Sequence, residues 1–105
     1  MRVLEFVVKQ QRLMRKVDCD FSHIVAGSAG YLQAKFYFSP EWVGYKKAAS
    51  FWLDGKESAV LLDENDSCTI PPEVLTGKIF EVSVTGAHGK DTVPTTKVKV
   101  KQEVV

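Results

Sequence analysis

The chain has 105 residues, of which 45% are hydrophobic and 26% are charged. This length suits one domain with one core, and the composition excludes the weakly hydrophobic, highly charged class of disordered proteins. The net charge of +1 provides no strong field for nucleic acid or an anionic membrane, so neither is expected as a partner. The sequence therefore predicts a single domain over residues 1–105.

The amino terminus has no apolar stretch long enough for a signal peptide or a membrane span, because Arg2 and Glu5 interrupt its short apolar runs. Synthesis in the cytoplasm is therefore expected. The first eighteen residues and the last expected strand are rich in basic side chains, whereas the charged side chains of residues 54–73 are acidic except for Lys56. This distribution fits solvated strand faces or, alternatively, a polar surface that orients copies of the chain head to tail.

Alternating apolar residues predict strands in the first part of the chain. Residues 2–9 alternate clearly, residues 12–17 form a more polar extended segment, and residues 18–30 have the composition of a loop. Residues 31–38 give the strongest signal, with one apolar face and one face of polar and tyrosine side chains. The apolar face consists of Leu32, Ala34, Phe36 and Phe38. Pro40 is expected to end this strand, because proline has no backbone N–H.

The rest of the chain contains further strand signals separated by turns. Asp54-Gly55 lies between two β-favouring segments and predicts a hairpin. Two prolines, an acidic residue and Gly77 predict one short helical turn near residues 72–76, with Leu75 pointing inward. Residues 86–91 are expected to form a turn. The expected strands cover residues 47–53, 58–62, 67–70, 78–85 and 95–100.

The number and spacing of these segments predict an all-β fold. About seven to eight short strands without a full helix are typical of an immunoglobulin-like antiparallel β-sandwich. A small barrel is the alternative, but the single helical turn in the middle of the chain favours the sandwich.

Residues that could carry chemistry are scarce. His23 and His88 are expected in loops, without a nucleophile motif near either, so the sequence does not predict an enzyme. The acidic segment at 63–67 lacks the spaced ligands of a calcium loop, and no cofactor motif occurs. Cys19 and Cys68 are poorly placed for an inter-sheet disulfide and are expected to be reduced, without zinc-site spacing.

The aromatic residues are the candidate interaction surface. Exposed rings could stack on the faces of sugars or fill a pocket in a partner protein. Alternatively, the first tryptophan closes one end of the sandwich, the second packs on a lysine stem or a neighbouring subunit, and a tyrosine pairs across strands. The candidate residues are Trp42, Tyr45, Trp52, Tyr31 and Tyr37.

Four segments of the chain carry a resemblance to a known family: GYLQAKFYFSPEW at residues 30–42, KKAASFW at 46–52, CTIPPEVL at 68–75 and FEVSVTG at 80–86. Together they resemble the small β-sandwich modules of tailed bacteriophages and prophages. Those modules include the amino-terminal domains of baseplate upper proteins and related head-fibre or tail accessory proteins. The resemblance covers roughly residues 1–102 and consists mostly of motifs that determine the fold.

This resemblance implies a virion component, made in a bacterial cytoplasm, that attaches to other phage structural proteins, with self-association as a further option. It would act through edge strands, and the candidate edges are the amino-terminal strand with Leu4 and Phe6 and the carboxy-terminal strand with Val98 and Val100. Host-receptor binding is not implied, since the chain has no coiled-coil heptads or fibre. The alternative is a carbohydrate-binding module that recognises a cell-surface glycan through its tryptophan and tyrosine rings.

Overall fold

The computed structural model describes residues 1–105 and contains nine strands and two short 3-10 turns. No helix in it has the length and apolar character required to cross a membrane. The strands are β1 (Arg2–Lys9), β2 (Arg12–Arg15), β3 (Leu32–Phe38), β4 (Lys46–Leu53), β5 (Lys56–Leu61), β6 (Ser67–Thr69), β7 (Ile79–His88), β8 (Asp91–Pro94) and β9 (Val98–Lys101). The 3-10 turns are η1 (Pro40–Trp42) and η2 (Pro72–Val74).

The strands form two sheets, which confirms the predicted all-β sandwich of immunoglobulin-like character. The first sheet has the order β2-β1-β3-β6. The second has the order β5-β4-β7-β8, and β9 also pairs with β7. Because β8 pairs with residues 85–88 of β7 and β9 pairs with residues 79–82, the two short strands follow each other along one edge.

One strand pair differs from the antiparallel arrangement that the sequence predicts. Strands β1 and β3 are parallel, with Phe6 opposite Phe36. The antiparallel strand β2 returns the chain toward the start of β1, with Arg15 opposite Phe6. The long segment at residues 16–31 then carries the chain past β1 to its other side, where Leu32 of β3 lies opposite Arg2. Strand β1 consequently lies between β2 and β3, and the prediction that it is an exposed edge is wrong.

The core lies between the sheets and follows the alternation of the sequence. In β3, Leu32, Ala34 and Phe36 are buried, as predicted, and Phe38 packs against the same core at its margin. The Phe36 ring stacks on Phe6 with centroids 5.2 Å apart, which joins the two parallel strands across the middle of the first sheet. Burial of such large rings removes much apolar surface from water and so stabilises the contact between the sheets.

The predicted turns are largely confirmed. Asp54 and Gly55 have φ angles of 51° and 81°, so both central residues of the β4–β5 hairpin adopt the left-handed conformation of a two-residue turn. The turn η2 lies at the predicted helical turn, and Leu75 is fully buried after it. Pro40 ends β3 as expected and starts η1.

The segment after residue 85 differs from the prediction. Strand β7 continues to His88, so this histidine is in a strand and not in a loop, and the turn is confined to Gly89 and Lys90. Strand β8 follows directly and was not predicted, because four residues ending in Pro94 carry no alternating pattern.

Both cysteines are free thiols. Cys68 in β6 is buried, and desolvation raises the pKa of its thiol to about 12. Cys19 is half-buried, and its Sγ accepts a hydrogen bond from the Glu5 backbone N–H at 3.3 Å. The Cys68 thiol is therefore shielded from solvent, whereas the Cys19 thiol is hydrogen-bonded to the backbone of β1.

Candidate functional site

The five candidate aromatic residues do not form one surface, and Trp42 is part of the core. Its side chain is 3% exposed, and its indole N–H donates to the Gln10 carbonyl at 2.8 Å. The prediction that Trp42 contributes to an interaction surface is therefore corrected. Because η1 turns the chain inward directly after β3, the ring closes one end of the sandwich, which is the alternative that the sequence left open.

Tyr45 lies at this same end and is only half exposed. Its ring centroid is 5.8 Å from that of Trp42 and 5.2 Å from that of His88. A sugar could not stack on Trp42 and Tyr45 together, because the tryptophan ring is covered by the protein. This result removes one of the three rings on which a carbohydrate-binding role depended.

Trp52 lies on the outer face of the second sheet, near the opposite end of β4 from Tyr45. Its indole N–H donates to Ser83 Oγ at 3.0 Å, and the Lys97 ammonium nitrogen is 3.9 Å from the ring centroid. The lysine thus already occupies one face of the ring through a cation–π contact. A ligand that stacks on that face must first displace Lys97.

Tyr37 projects from the outer face of the first sheet, with its hydroxyl donating to Glu5 Oε2 at 2.5 Å. The ammonium groups of Lys16 and Lys35 are 5.5 and 5.4 Å from its ring centroid. Tyr31, immediately before β3, is 52% exposed. The candidate aromatics therefore occupy both outer faces and both ends of the sandwich, and each is surrounded by different neighbours.

We expect the pKa of Tyr37 to respond to Glu5. The hydrogen bond to the Glu5 carboxylate raises the pKa of this phenol above its ordinary value, because the carboxylate stabilises the protonated form. The hydrogen bond between Tyr37 and Glu5 therefore stabilises the folded state below the ordinary tyrosine pKa. This stabilisation is lost as the pH rises through the raised pKa of the folded state. NMR titration of labelled tyrosine should show this raised pKa, and Glu5→Gln should lower it. An unchanged Tyr37 titration in Glu5→Gln would contradict the assignment.

One lateral side of the sandwich is closed by contacts between the two sheets. The Thr96 N–H donates to the Gln11 carbonyl at 2.9 Å, and the Leu13 N–H donates to Thr96 Oγ1 at 3.2 Å. The Arg15 guanidinium donates to the Lys99 carbonyl of β9 at 2.6 Å. The predicted carboxy-terminal edge therefore exists, but β2 and its side chains cover part of it.

The other lateral side ends in β5, which pairs only with β4. The Leu62 N–H continues this ladder by donating to the Lys47 carbonyl at 3.0 Å, so the even-numbered residues of β5 are those bonded to β4. The N–H and C=O groups of Glu57, Ala59 and Leu61 consequently point away from the sheet. None of the backbone hydrogen bonds outside the ladders involves these three residues. We call this row of backbone groups the β5 edge.

The β5 edge has little of the protection that edge strands commonly carry, such as proline, a bulge or several charges. Its register with β4 is unbroken over all six residues. Lys56 and Glu57 are charged, but the four residues that follow are uncharged, and Leu61 is 76% exposed. An extended segment of another chain could therefore add to this edge by backbone hydrogen bonding.

A shallow cleft lies at each end of the β5 edge. One has a volume of about 380 Å³ and is bordered by Leu53, Lys56 and Glu73 of η2. The other has a volume of about 440 Å³ and is bordered by Tyr45 and Leu61. Tyr45 borders the second cleft, and Trp52 is paired with Glu57 across β4 and β5. These two candidate aromatics therefore lie beside opposite ends of the β5 edge.

Sequence reasoning identified β5 as a strand but did not identify it as the free edge. The Asp54-Gly55 hairpin indicated that β5 pairs with β4. It contained no information on whether another strand lies on the far side of β5, because that depends on where the remainder of the chain passes.

No protein-family model, curated protein or solved structure matches this chain. The candidate site is therefore defined by the β5 edge and its flanking clefts, from the residues of this chain alone.

Proposed function

We propose that this chain is a non-enzymatic structural module of a phage or prophage particle that attaches to other proteins through strand addition at the β5 edge. The single observation that carries the attachment role is the row of unpaired backbone groups on Glu57, Ala59 and Leu61. The phage context comes from the sequence resemblance, whose segments include the strands β3, β4 and β7 that build both sheets.

Strand addition suits a module whose outward aromatic side chains are scattered. The backbone of an added strand supplies most of the hydrogen bonds, so affinity does not require a large exposed aromatic patch. Specificity comes from the side chains of the added strand, which meet the exposed Leu61 and the clefts at the two ends of the edge. The exposed apolar surface of Leu61 would be covered in the same step.

The proposal is tested by asking whether the chain is built into particles through this edge. Ala59→Pro removes one outward N–H without removing a hydrogen bond to β4, because proline is tolerated in an edge strand when its nitrogen faces solvent. Particles from the source bacterium, purified by density gradient after prophage induction, should contain the unsubstituted chain at constant stoichiometry. We expect Ala59→Pro to be depleted from those particles by roughly tenfold or more. The variant loses one hydrogen bond between uncharged backbone groups, and the proline ring also distorts the pairing with the added strand.

The matched control is Lys90→Glu, which changes an exposed residue in the β7–β8 turn and leaves the β5 edge intact. It should enter particles as the unsubstituted chain does. Circular dichroism must show that Ala59→Pro retains its strand signal and unfolding temperature within a few degrees. Absence of the unsubstituted chain from purified particles, or equal incorporation of a folded Ala59→Pro variant, would contradict the proposal.

A further inference from the structure

We propose that the strand added at the β5 edge is a segment of a partner protein with two successive basic residues, lysine or arginine, at the end next to the β4–β5 hairpin. This inference rests on the proposed attachment function and names the chemistry of its partner. One basic residue lies opposite Glu57 and its neighbour lies opposite Ser58. A residue with an apolar side chain lies opposite Leu61.

The end of the β5 edge next to the hairpin, here called the hairpin end, carries an excess of negative charge. Asp54, Glu57 and Glu73 are all exposed there, and Lys56 is the basic side chain beside them. None of these four side chains takes part in a salt bridge. A cation on the added strand would therefore meet an uncompensated negative field, whereas an anion would be repelled.

The other charges near the edge leave this excess in place. On the outer face of the second sheet, Lys97 on the Trp52 ring and Glu81 opposite Trp52 offset each other. Beyond Leu61, acidic and basic side chains are equal in number. They are Asp63, Glu64, Asp66, Lys35, Lys46 and Lys47. Charge complementarity therefore selects a basic residue at the hairpin end and selects no charge at the other end.

Both glutamates at the hairpin end keep a carboxylate oxygen for a cation. Glu57 accepts the Ser50 hydroxyl, and Glu73 accepts the Ser58 hydroxyl at 3.4 Å, in each case through Oε2. Oε1 of neither residue forms a hydrogen bond within the chain. A basic side chain can therefore approach each carboxylate without displacing an existing partner.

Each face of β5 presents one of these carboxylates to the added strand. Glu57 pairs with Trp52 and lies on the outer face. Ser58 pairs with the buried Phe51, so it lies on the inner face, where it contacts Glu73. Side chains alternate along the added strand, so two consecutive residues meet the two carboxylates on opposite faces. Two adjacent basic residues satisfy both positions.

The cleft at the hairpin end suits the basic side chain on the inner face. Leu53 and Val74 border this cleft together with Glu73, and its volume is about 380 Å³. Lysine and arginine cover apolar surface with their aliphatic stems while the charged head group stays at a polar rim. The cleft thus offers apolar contact for the stem and a carboxylate for the head group.

The remainder of the edge favours uncharged side chains on the added strand. Ala59 and Leu61 follow Glu57 on the outer face, and Leu61 is 76% exposed. An apolar residue opposite Leu61 would remove this surface from water. The partner segment therefore has its basic pair at one end and its apolar residue three positions away from that pair.

A synthetic peptide tests the charge preference. Two lysines at each end with five alternating threonine and valine residues between them give a strand-forming sequence that reads the same in both directions. We expect it to bind the isotope-labelled chain, with the largest NMR shifts at the Glu57, Ala59 and Leu61 amides. The matched peptide with glutamates in place of the lysines should bind at least about tenfold more weakly at low salt. Equal affinities, or shifts located away from β5, would overturn the basic partner.

Variants of the chain locate the contact. Glu57→Gln and Glu73→Gln should each weaken binding of the lysine peptide about two- to fivefold, the range of one exposed charge pair. The matched control is Asp91→Asn, which makes the same charge change on β8 at the opposite edge of the second sheet and should leave the affinity unchanged. Ala59→Pro should weaken binding about tenfold, which distinguishes strand addition from diffuse attraction. Equal losses in Asp91→Asn and Glu57→Gln, or full binding by a folded Ala59→Pro variant, would contradict the assignment.

The outcomes separate this inference from the proposed function. A chain that enters particles through the β5 edge but binds both peptides equally would overturn the basic partner and leave the attachment role. A chain that binds the lysine peptide as described but is absent from purified particles would contradict the particle role alone. Sedimentation equilibrium that shows self-pairing, lost in Ala59→Pro, would assign the edge to a second copy and overturn the inference.

Discussion

Phe36→Ala is expected to destabilise the fold by about 3–5 kcal/mol, the usual cost of removing a fully buried phenylalanine ring. Phe36 is 1% exposed, stacks on Phe6 and lies 6.2 Å from the Phe38 ring centroid. Its loss would open a cavity between the parallel strands β1 and β3, where both neighbouring backbones are held by hydrogen bonds and cannot collapse into it. Urea denaturation followed by tryptophan fluorescence would measure the change in the free energy of unfolding.

The matched control is Gln33→Ala, on the same strand but on the outer face. Its side chain is only half-buried and forms no side-chain hydrogen bond, so the change should remain within about 0.5 kcal/mol. A loss smaller than about 1 kcal/mol in Phe36→Ala, or equal losses in both variants, would show that β3 does not pack its apolar face between the sheets.

Gly86→Ala is expected to destabilise the fold by about 2–3 kcal/mol, because an added Cβ has no room. That atom would lie 2.5 Å from Trp42 Cζ3 and 3.2 Å from Tyr45 Cδ2. Gly86 cannot move away easily, since it pairs with Lys47 on β4 and with Val93 on β8. Glycine is therefore needed at this position for close approach to the indole ring. Ala87→Ser, at the exposed next residue, should change stability by less than about 0.5 kcal/mol.

A double-mutant cycle can attribute this cost to the contact with Trp42. Trp42→Phe removes the ring atoms nearest to Gly86, together with the indole donor to the Gln10 carbonyl, so it should be destabilising alone. In Trp42→Phe, the additional cost of Gly86→Ala should fall by at least about 1 kcal/mol. Strict additivity of the two costs would contradict the contact. Thermal or urea unfolding of the four proteins supplies the comparison.

Local patterns were sufficient to predict the strands and turns that bury the core. The alternation of Leu32, Ala34 and Phe36 specified which face of β3 is buried, because side chains alternate across any strand whatever its neighbours. Asp54-Gly55 specified the β4–β5 hairpin for an equally local reason, since both residues tolerate positive φ angles. The short strand β8 was missed, because its pairing with β7 depends on the preceding turn more than on its own residues.

The candidate site depended on information that lies outside any local pattern. Trp42 and Trp52 carry the same side chain and were grouped as surface candidates, yet η1 turns Trp42 into the core while Trp52 remains on an outer face. The sequence likewise indicated edge strands without indicating which strands they are. The sequence indicated β1 as an edge, whereas the structure has β1 inside the first sheet and β5 at the end of the second. Strand order depends on where distant segments of the chain pass, which no local pattern contains.

Side-chain alternation, turn residues and apolar content, all short-range properties, thus specified an all-β sandwich and its core before any contact was known. Three features depend instead on contacts between segments that are far apart in the chain. They are the order of the strands, the burial of Trp42 and the free backbone groups of β5. Strand β1 pairs with β2 on one side and β3 on the other, whereas no strand of the chain pairs with the outer side of β5. The paths of these distant segments, not the residues of β5 alone, leave the outer backbone groups of β5 unpaired.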